Sequence, residues 1–505
     1  MGADPHRLFR AQDALGKKGL PNLIWRQITG TRFRHATGPC SAVGMKTIVD
    51  PTHALARGLA LIRTQFHIPE TFPLPVLAEA ETAAKRAPTD HVDRTDMLFV
   101  TLDPASSTDL DQALAIERAG EDLILHYAIA DVAWFVDDDG AIDREAWARG
   151  ASQYLPDGRA PLYPPILSEQ AASLLPDGPR PAVIFIVRVA RDGAVKLDGV
   201  ERAIVRSRAK LAYDNVRDAD LPPDFATLAD RIQAAEDRRG ASRIDPPEQE
   251  VRRTGSGDYE LAFRPRLQSE DRNAAMSLAC NLAVADALLA HHTGLFRVMA
   301  PPDQPAIRRL RFTARAFGLV WPEAETLGQF QKNLHANDPR EAAFMLAARR
   351  AGAGASYAPY EPGVVPWHVA MAATYAHATA PLRRLADRYV VRAALAVANG
   401  HDVPDAVTHA FTKLPPVMAR ADALGGQIER AVVDLAEAVM LKGCEGRTFP
   451  AIVTDVDERG ARMQLREQPV VARVPAHAVQ PGDAITVKLV STEPERRLIQ
   501  FERIA

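Results

Sequence analysis

Residues 101–114 read Thr-Leu-Asp-Pro-Ala-Ser-Ser-Thr-Asp-Leu-Asp-Gln-Ala-Leu, placing three aspartates, Asp103, Asp109 and Asp111, directly after an apolar run at 97–102. That run is a strand signal, and 123–130 (LILHYAIA) is a second, so an acidic loop lies between two strands. Magnesium is held by one or two carboxylates completed by phosphate oxygens and water. Asp109 and Asp111, at i and i+2 of an extended segment, point to the same side, and Asp103 closes the cluster if the loop folds back. An Asp-rich turn whose carboxylates merely satisfy backbone N–H groups has the same composition. Composition does not separate the two readings.

Outward from the loop, strands come early and helices late. From 313 to 438 the chain is Ala-rich and helical, with Pro415 and Pro416 as the breakers between Asp405 and Gly425. The last residues switch character: 449–456, 461–465, 470–474, 484–490 and 498–501 are short β-rich runs separated by turns. Five such strands suggest an OB barrel, a fold that grips single strands with little sequence preference. Upstream, 52–66 and 73–85 have helical spacing and are expected to form a packing extension, with a helix-turn-helix as the alternative. Residues 1–45 mix Gly, Pro and basic residues without a period and are expected to be disordered or outside the native start.

At 505 residues the chain exceeds what one core supports, so several domains are expected. No apolar run reads as long enough to cross a bilayer and the N-terminus carries charges, so the expectation is cytoplasmic, with no membrane association. Cys40, Cys280 and Cys444 are too scattered for a disulfide framework or a zinc knuckle. A net charge of −3 argues against a surface that is basic throughout. Any nucleic-acid path must be locally basic, and Arg and Lys concentrate at 188–210, 307–311 and 383–392.

The acidic loop resembles the signature of RNB-domain exoribonucleases, the ribonuclease II and ribonuclease R family: T-[IL]-D-P-x-x-[AST]-x-D-x-D-D-[AS]. Three of its four aspartates match, and Gln112 stands at the fourth position, keeping a carbonyl oxygen but losing a charge. The resemblance runs over about residues 70–505. Residues 128–136 (AIADVAWFV) resemble the family's IADVSHYV strand, and 154–164 its YLP…PMLP segment. Residues 375–388 (YAHATAPLRRLADR) resemble its YxHFTSPIRRYxD motif, and Glu429-Arg430 a short helical ER.

The implied fold class is α+β, an RNB catalytic domain (96–442) of mixed sheet and helices followed by a five-stranded OB barrel (445–505), after a helical region at 46–95. The resemblance is to a bacterial type without the N-terminal cold-shock domains. Implied too is metal-dependent 3′ to 5′ hydrolysis of single-stranded RNA with a free 3′ end to 5′-mononucleotides, using Mg²⁺ with Mn²⁺ able to substitute and no obligate protein partner. Asp103, Asp109, Asp111 and Gln112 would hold metal, with Asp111 the carboxylate on which hydrolysis most depends. Arg383 would hold the scissile phosphate, a task suited to a guanidinium fork, and Tyr154, Tyr213 and Glu429 would contact RNA. Arg384 and Arg388, at helical spacing, are expected on a solvated face, Asn281 fits helix packing as easily as function, and His377 is assigned no role. Ala274 and Ala275 stand where relatives carry an acidic pair. Two rivals remain: an RNB-fold protein that binds RNA without cutting, motivated by Gln112, and a duplex-DNA regulator working through the N-terminal helices.

Overall fold

Runs rich in Val, Ile, Leu and Phe build a seven-stranded sheet from β1 (Val92–Asp93), β2 (Phe99–Asp103), β3 (Gln112–Ala119), β4 (Asp122–Ala130), β5 (Arg180–Val189), β6 (Val195–Val205) and β7 (Ser207–Ala212). Their order is β7-β2-β3-β4-β5-β6-β1, antiparallel except that β7 runs parallel to β2 and β1 parallel to β6. The centre of the sheet, β4 and β5, is apolar on both faces, as burial under helices demands. The acidic loop joins neighbours β2 and β3, so its aspartates emerge at one end of the sheet. The computed structural model describes residues 46–48, 53–241, 248–253, 259–264 and 266–504, apart from 336–337, 353, 458–459, 467 and 476–477. The expectation for 1–45 lies outside the described residues, which all belong to one unit, Val43–Ala505.

Helices Phe225–Arg239, Gln268–Ala290 and Leu385–Ala398 pack on the sheet. Gln268–Ala290 is long and apolar enough to cross a membrane, yet Met276, Ala279, Cys280, Val284 and Leu288 are buried in the main core. The run at 128–136 departs from a continuous strand. β4 stops at Ala130 and Val132–Phe135 is a helical turn, because the Asp131 side chain accepts from the Trp134 N–H and caps it.

Asp405–Leu441 is one helix that continues through Pro415 and Pro416. Each proline removes a backbone donor, and burial of Phe411, Leu414 and Met418 on the same helix offsets the loss. Its far end receives Ala54–Gln65: Leu55, Leu59 and Ile62 pack against Ile428, Val432 and Leu435. A Cβ at Gly58 would fall 2.5 Å from the Leu435 methyls, so glycine permits this close approach. Leu74–Ala83 rests instead on Ala141–Arg149. The two helices thus have separate partners in the body.

The C-terminal strands Thr448–Asp457, Gly460–Leu465, Val471–Val474, Ala484–Glu493 and Leu498–Arg503 form an antiparallel sheet whose outer strands approach each other in a nearly closed, OB-like barrel. Glu437, buried on the long helix, ties body to barrel: its Oε1 accepts from Gln249 Nε2 at 2.6 Å and from the Val471 N–H at 2.9 Å. Burial pushes its carboxyl from 4.5 up to about 8. Between those values the folded chain keeps a proton that the unfolded chain has lost, so stability falls as pH rises through that window. Glu437→Gln keeps an accepting oxygen and removes the titration. Thermal melts are expected to show it gaining stability over the parent near pH 8 and no such gain near pH 4.5.

Candidate active site

The aspartate loop is pinned by residues distant in sequence. Lys210 Nζ donates to the Ala105 carbonyl at 2.9 Å and Asn273 Nδ2 to the Leu102 carbonyl at 3.2 Å. On its other side Ser173 Oγ accepts from the Leu110 N–H at 2.9 Å and donates to the Thr108 carbonyl at 2.7 Å. A loop fixed at four backbone points holds its side chains in place, as preorganised chemistry requires.

Asp111 points inward and is 6% exposed. Its Oδ1 accepts from the Leu382 N–H at 2.7 Å, and its Oδ2 lies 3.5 Å from Arg383 Nε. Burial pushes its carboxyl up to about 8 despite Arg383 and the Leu382 amide, and burial likewise pushes Asp103 up to about 6 against the pull of Arg383. The fold therefore leaves the charge of both groups incompletely offset. Asp109 is differently placed: Arg159 pairs with its Oδ1, and the Tyr154 hydroxyl donates to its Oδ2 at 3.3 Å. Gln112 turns its amide tip to two hydroxyls, accepting from Ser277 Oγ at 3.0 Å and from Tyr127.

These positions can be tested against a divalent ion. Asp103 and Asp111, desolvated and under-compensated, suit a hard cation that takes one or two carboxylates and completes its shell with water and phosphate. They do not suit a closed protein cage: among the described residues no three His, Cys, Asp or Glu side chains gather as one. The amide oxygen of Gln112, expected to serve the metal, accepts from Tyr127 and Ser277.

Residues 375–384 form the facing wall. Buried Asn281 accepts from the Ala378 N–H at 2.9 Å and donates to the Tyr375 hydroxyl at 3.1 Å. Asp387 accepts from the Ala380 N–H at 2.8 Å and takes a two-pronged bond from Arg384 at 2.9 and 2.8 Å. These bonds set the turn that delivers the Leu382 N–H and Arg383 to Asp111. Asn281 therefore fixes the wall as well as packing its helix.

Arg384 and Arg388 do not lie on a free solvated face: Arg384 is partly buried on Asp387. Arg388 is 1% exposed and pairs with Asp143, while Arg392 pairs with Asp138 at 2.6 Å. The acids that meet Arg388 and Arg392 come from the segment after β4, which helical spacing cannot show, whereas Arg384 meets Asp387 three residues on. Arg383 keeps 46% of its side chain exposed. Breaking a buried ion pair by removing one partner costs about 3–5 kcal/mol. Asp143→Asn is expected to lose stability on that scale, read by denaturant unfolding.

A cavity of 520 Å³ lies against these groups, lined by Asp103, Gln112, Tyr213, Asn273, Ala274, Ser277, Tyr375, His377, Thr379, Arg383 and Arg384 among others. The Tyr213 hydroxyl accepts from Asn273 Nδ2 at 2.8 Å. His377, given no role from sequence, is on this wall: its Nδ1 is 2.8 Å from the Tyr357 hydroxyl, and burial, with Arg384 and Arg297 nearby, holds it well below the usual histidine range and so neutral. Tyr154 is 52% exposed beside Asp109. Glu429 is exposed on the long helix and is not among the lining residues. Sequence reasoning missed Arg159, Tyr127, Ser277 and Asn273, which reach the loop across separations of 15 to 171 residues where no local spacing could flag them.

Residues 91–399 match the RNB domain family, and 447–504 match the RNase II-type exonuclease C-terminal S1 domain. The chain belongs to the RNB family. Its RNB domain contains the whole aspartate loop, the cavity wall and Arg383. The chain is 26% identical to the ribonuclease R of Aquifex aeolicus over 94% of this chain and 74% of that one. It spans between 52% and 66% of the other curated ribonuclease R and exoribonuclease 2 relatives. In fold it is similar to Mycoplasma genitalium RNase R in complex with ribose methylated single-stranded RNA, with a TM-score of 0.80 at 20% identity over 89% of this chain and 78% of that one. It is also similar to yeast Ssd1, a pseudonuclease, with a TM-score of 0.62 at 17% identity over 87% and 57%.

Proposed function

We propose that this RNB-family chain is a divalent-metal-dependent 3′ to 5′ exoribonuclease that hydrolyses single-stranded RNA with a free 3′ end to 5′-mononucleotides. The observation that supports it most is the buried Asp111 set beside the half-exposed Arg383 at the cavity that Arg383 lines. On this reading Asp103 and Asp111 hold Mg²⁺, or Mn²⁺ in its place. When bound, such an ion acidifies a water and offsets phosphate charge. Arg383 holds the scissile phosphate and stabilises the charge that builds on its oxygens. Tyr154, exposed at the loop, stacks on a base, while Tyr213 contacts the terminal nucleotide from the cavity wall. Ala274 brings no acid to that wall, so any acidic contact with the terminal nucleotide would come from other lining residues such as Glu270. Cytoplasmic residence, where free RNA 3′ ends arise, belongs to the same reading.

A second reading has one specific support, the charge lost at Gln112: an RNB-fold protein that captures RNA without cutting it. Titration of Mg²⁺ and Mn²⁺ with 5′-labelled oligoribonucleotides separates the two. Stepwise shortening from the unlabelled end supports the enzyme. Binding with no shortening at any metal concentration would sink it and favour the binder.

A further inference from the structure

Asp109 is bound on both sides before any ligand arrives. Arg159, in the strand Gly158–Ala160, pairs with its Oδ1, and Tyr154 donates to its Oδ2 at 3.3 Å. The same guanidinium reaches Glu169 Oε1 at 2.8 Å and Thr108 Oγ1 at 2.6 Å, and that hydroxyl in turn donates to Glu169 Oε2 at 3.1 Å. Arg159 and Asp109 keep only 18% and 10% of their side chains exposed, so water screens the pair weakly. Glu169 and Thr108 hold Arg159 independently of Asp109. It is therefore a fixture of the loop, not a counter-ion that leaves when a cation enters.

The carboxylates left to meet a divalent ion are Asp103 and Asp111, and Arg383 already stands 3.5 Å from Asp111. Gln112 adds no charge, its tip being taken by Tyr127 and Ser277. Two carboxylates opposed by the Arg383 guanidinium, with the Lys210 ammonium also acting on Asp103, present little net negative charge to a doubly charged ion that gives up its water reluctantly. A phosphate of the RNA would raise that charge and add oxygen ligands.

We propose that Arg159 is a positioning residue that withholds Asp109 from the metal, so that the divalent ion binds tightly only together with RNA. This deepens the function proposed above and rests on its assignment of Asp103 and Asp111 to the ion.

Mn²⁺ binding to the full chain, followed by electron paramagnetic resonance, tests it without relying on turnover. The RNA used is an oligoribonucleotide whose last 3′ bridging oxygen is replaced by methylene, which keeps the phosphate charge and cannot be cut at that linkage. The analogue is expected to tighten Mn²⁺ binding by about tenfold or more, and Arg159→Leu to tighten RNA-free binding by a similar factor while shrinking the effect of the analogue. Equal Mn²⁺ affinity with and without the analogue overturns the proposal, as does a folded Arg159→Leu with unchanged RNA-free affinity. Should the leucine variant fail to fold, Arg159→Gln, which can keep hydrogen bonds to Glu169 and Thr108 without the charge, is judged by the same criterion. Hydrolysis that fails while Mn²⁺ behaves as expected counts against the enzyme alone. Absence of Mn²⁺ binding under both conditions removes the metal assignment itself.

Discussion

Asp111→Asn is expected to lower metal-supported RNA degradation by roughly 10³-fold or more, about 4 kcal/mol of barrier, while RNA affinity holds or rises. Asp111 is the most enclosed carboxylate of the loop, and burial already pushes its carboxyl up to about 8. A group held in that state is stabilised as an anion chiefly by a nearby cation, and Asn is nearly isosteric but has no charge to offer one. The Leu382 N–H, which donates to Asp111 at 2.7 Å, keeps an acceptor in the Asn amide oxygen, so the wall is expected to stay in place. Affinity is spared because the substitution removes a charge that repels phosphate. Rate and affinity measured on one preparation give the test. A matched fall in both would point to a damaged fold, and an unchanged rate would remove Asp111 from the chemistry.

Arg383→Leu is expected to cost about 10²- to 10³-fold in kcat, the range for losing one preorganised group aimed at developing charge. Its neighbours Arg384, Arg388 and Arg392 each meet an acid, at Asp387, Asp143 and Asp138. Arg383 instead stands half exposed on the cavity, beside an aspartate. Lysine restores the charge and not the planar two-pronged donor, so Arg383→Lys is expected to recover only part of the loss. Single-turnover rates on one oligonucleotide read the difference, and full activity in the lysine variant would show that point charge alone suffices.

The sequence carried what is local. The apolar runs at 97–102 and 123–130 became β2 and β4, with β3, a strand the patterning did not announce, between them in chain and sheet, and the five C-terminal runs became the barrel with ends shifted by a few residues, because period-two patterning and turn residues are written in neighbouring positions. It could not carry who sits opposite whom. Arg388 stands at helical spacing from Arg384, which says they share a face and nothing of Asp143 buried beneath Arg388. Gln112 reads as an oxygen donor until Tyr127 and Ser277 close on its tip. Asp109 reads as a supporting metal ligand, and nothing near it in sequence announces that Arg159 is placed beside it. In each case the deciding partner lies on another element and is chosen by packing.

On the proposed function, water adds to the last phosphodiester of an RNA at the Asp111–Arg383 end of the cavity. Digestion of an oligoribonucleotide in water enriched in the heavy oxygen isotope, with released products weighed by mass spectrometry, measures that event itself. The expected products are 5′-mononucleotides, each with one heavy oxygen on its phosphate, released from the 3′ end by the parent chain and not by Asp111→Asn. Nucleoside 3′-phosphates, unlabelled products, or release that survives in Asp111→Asn would contradict it.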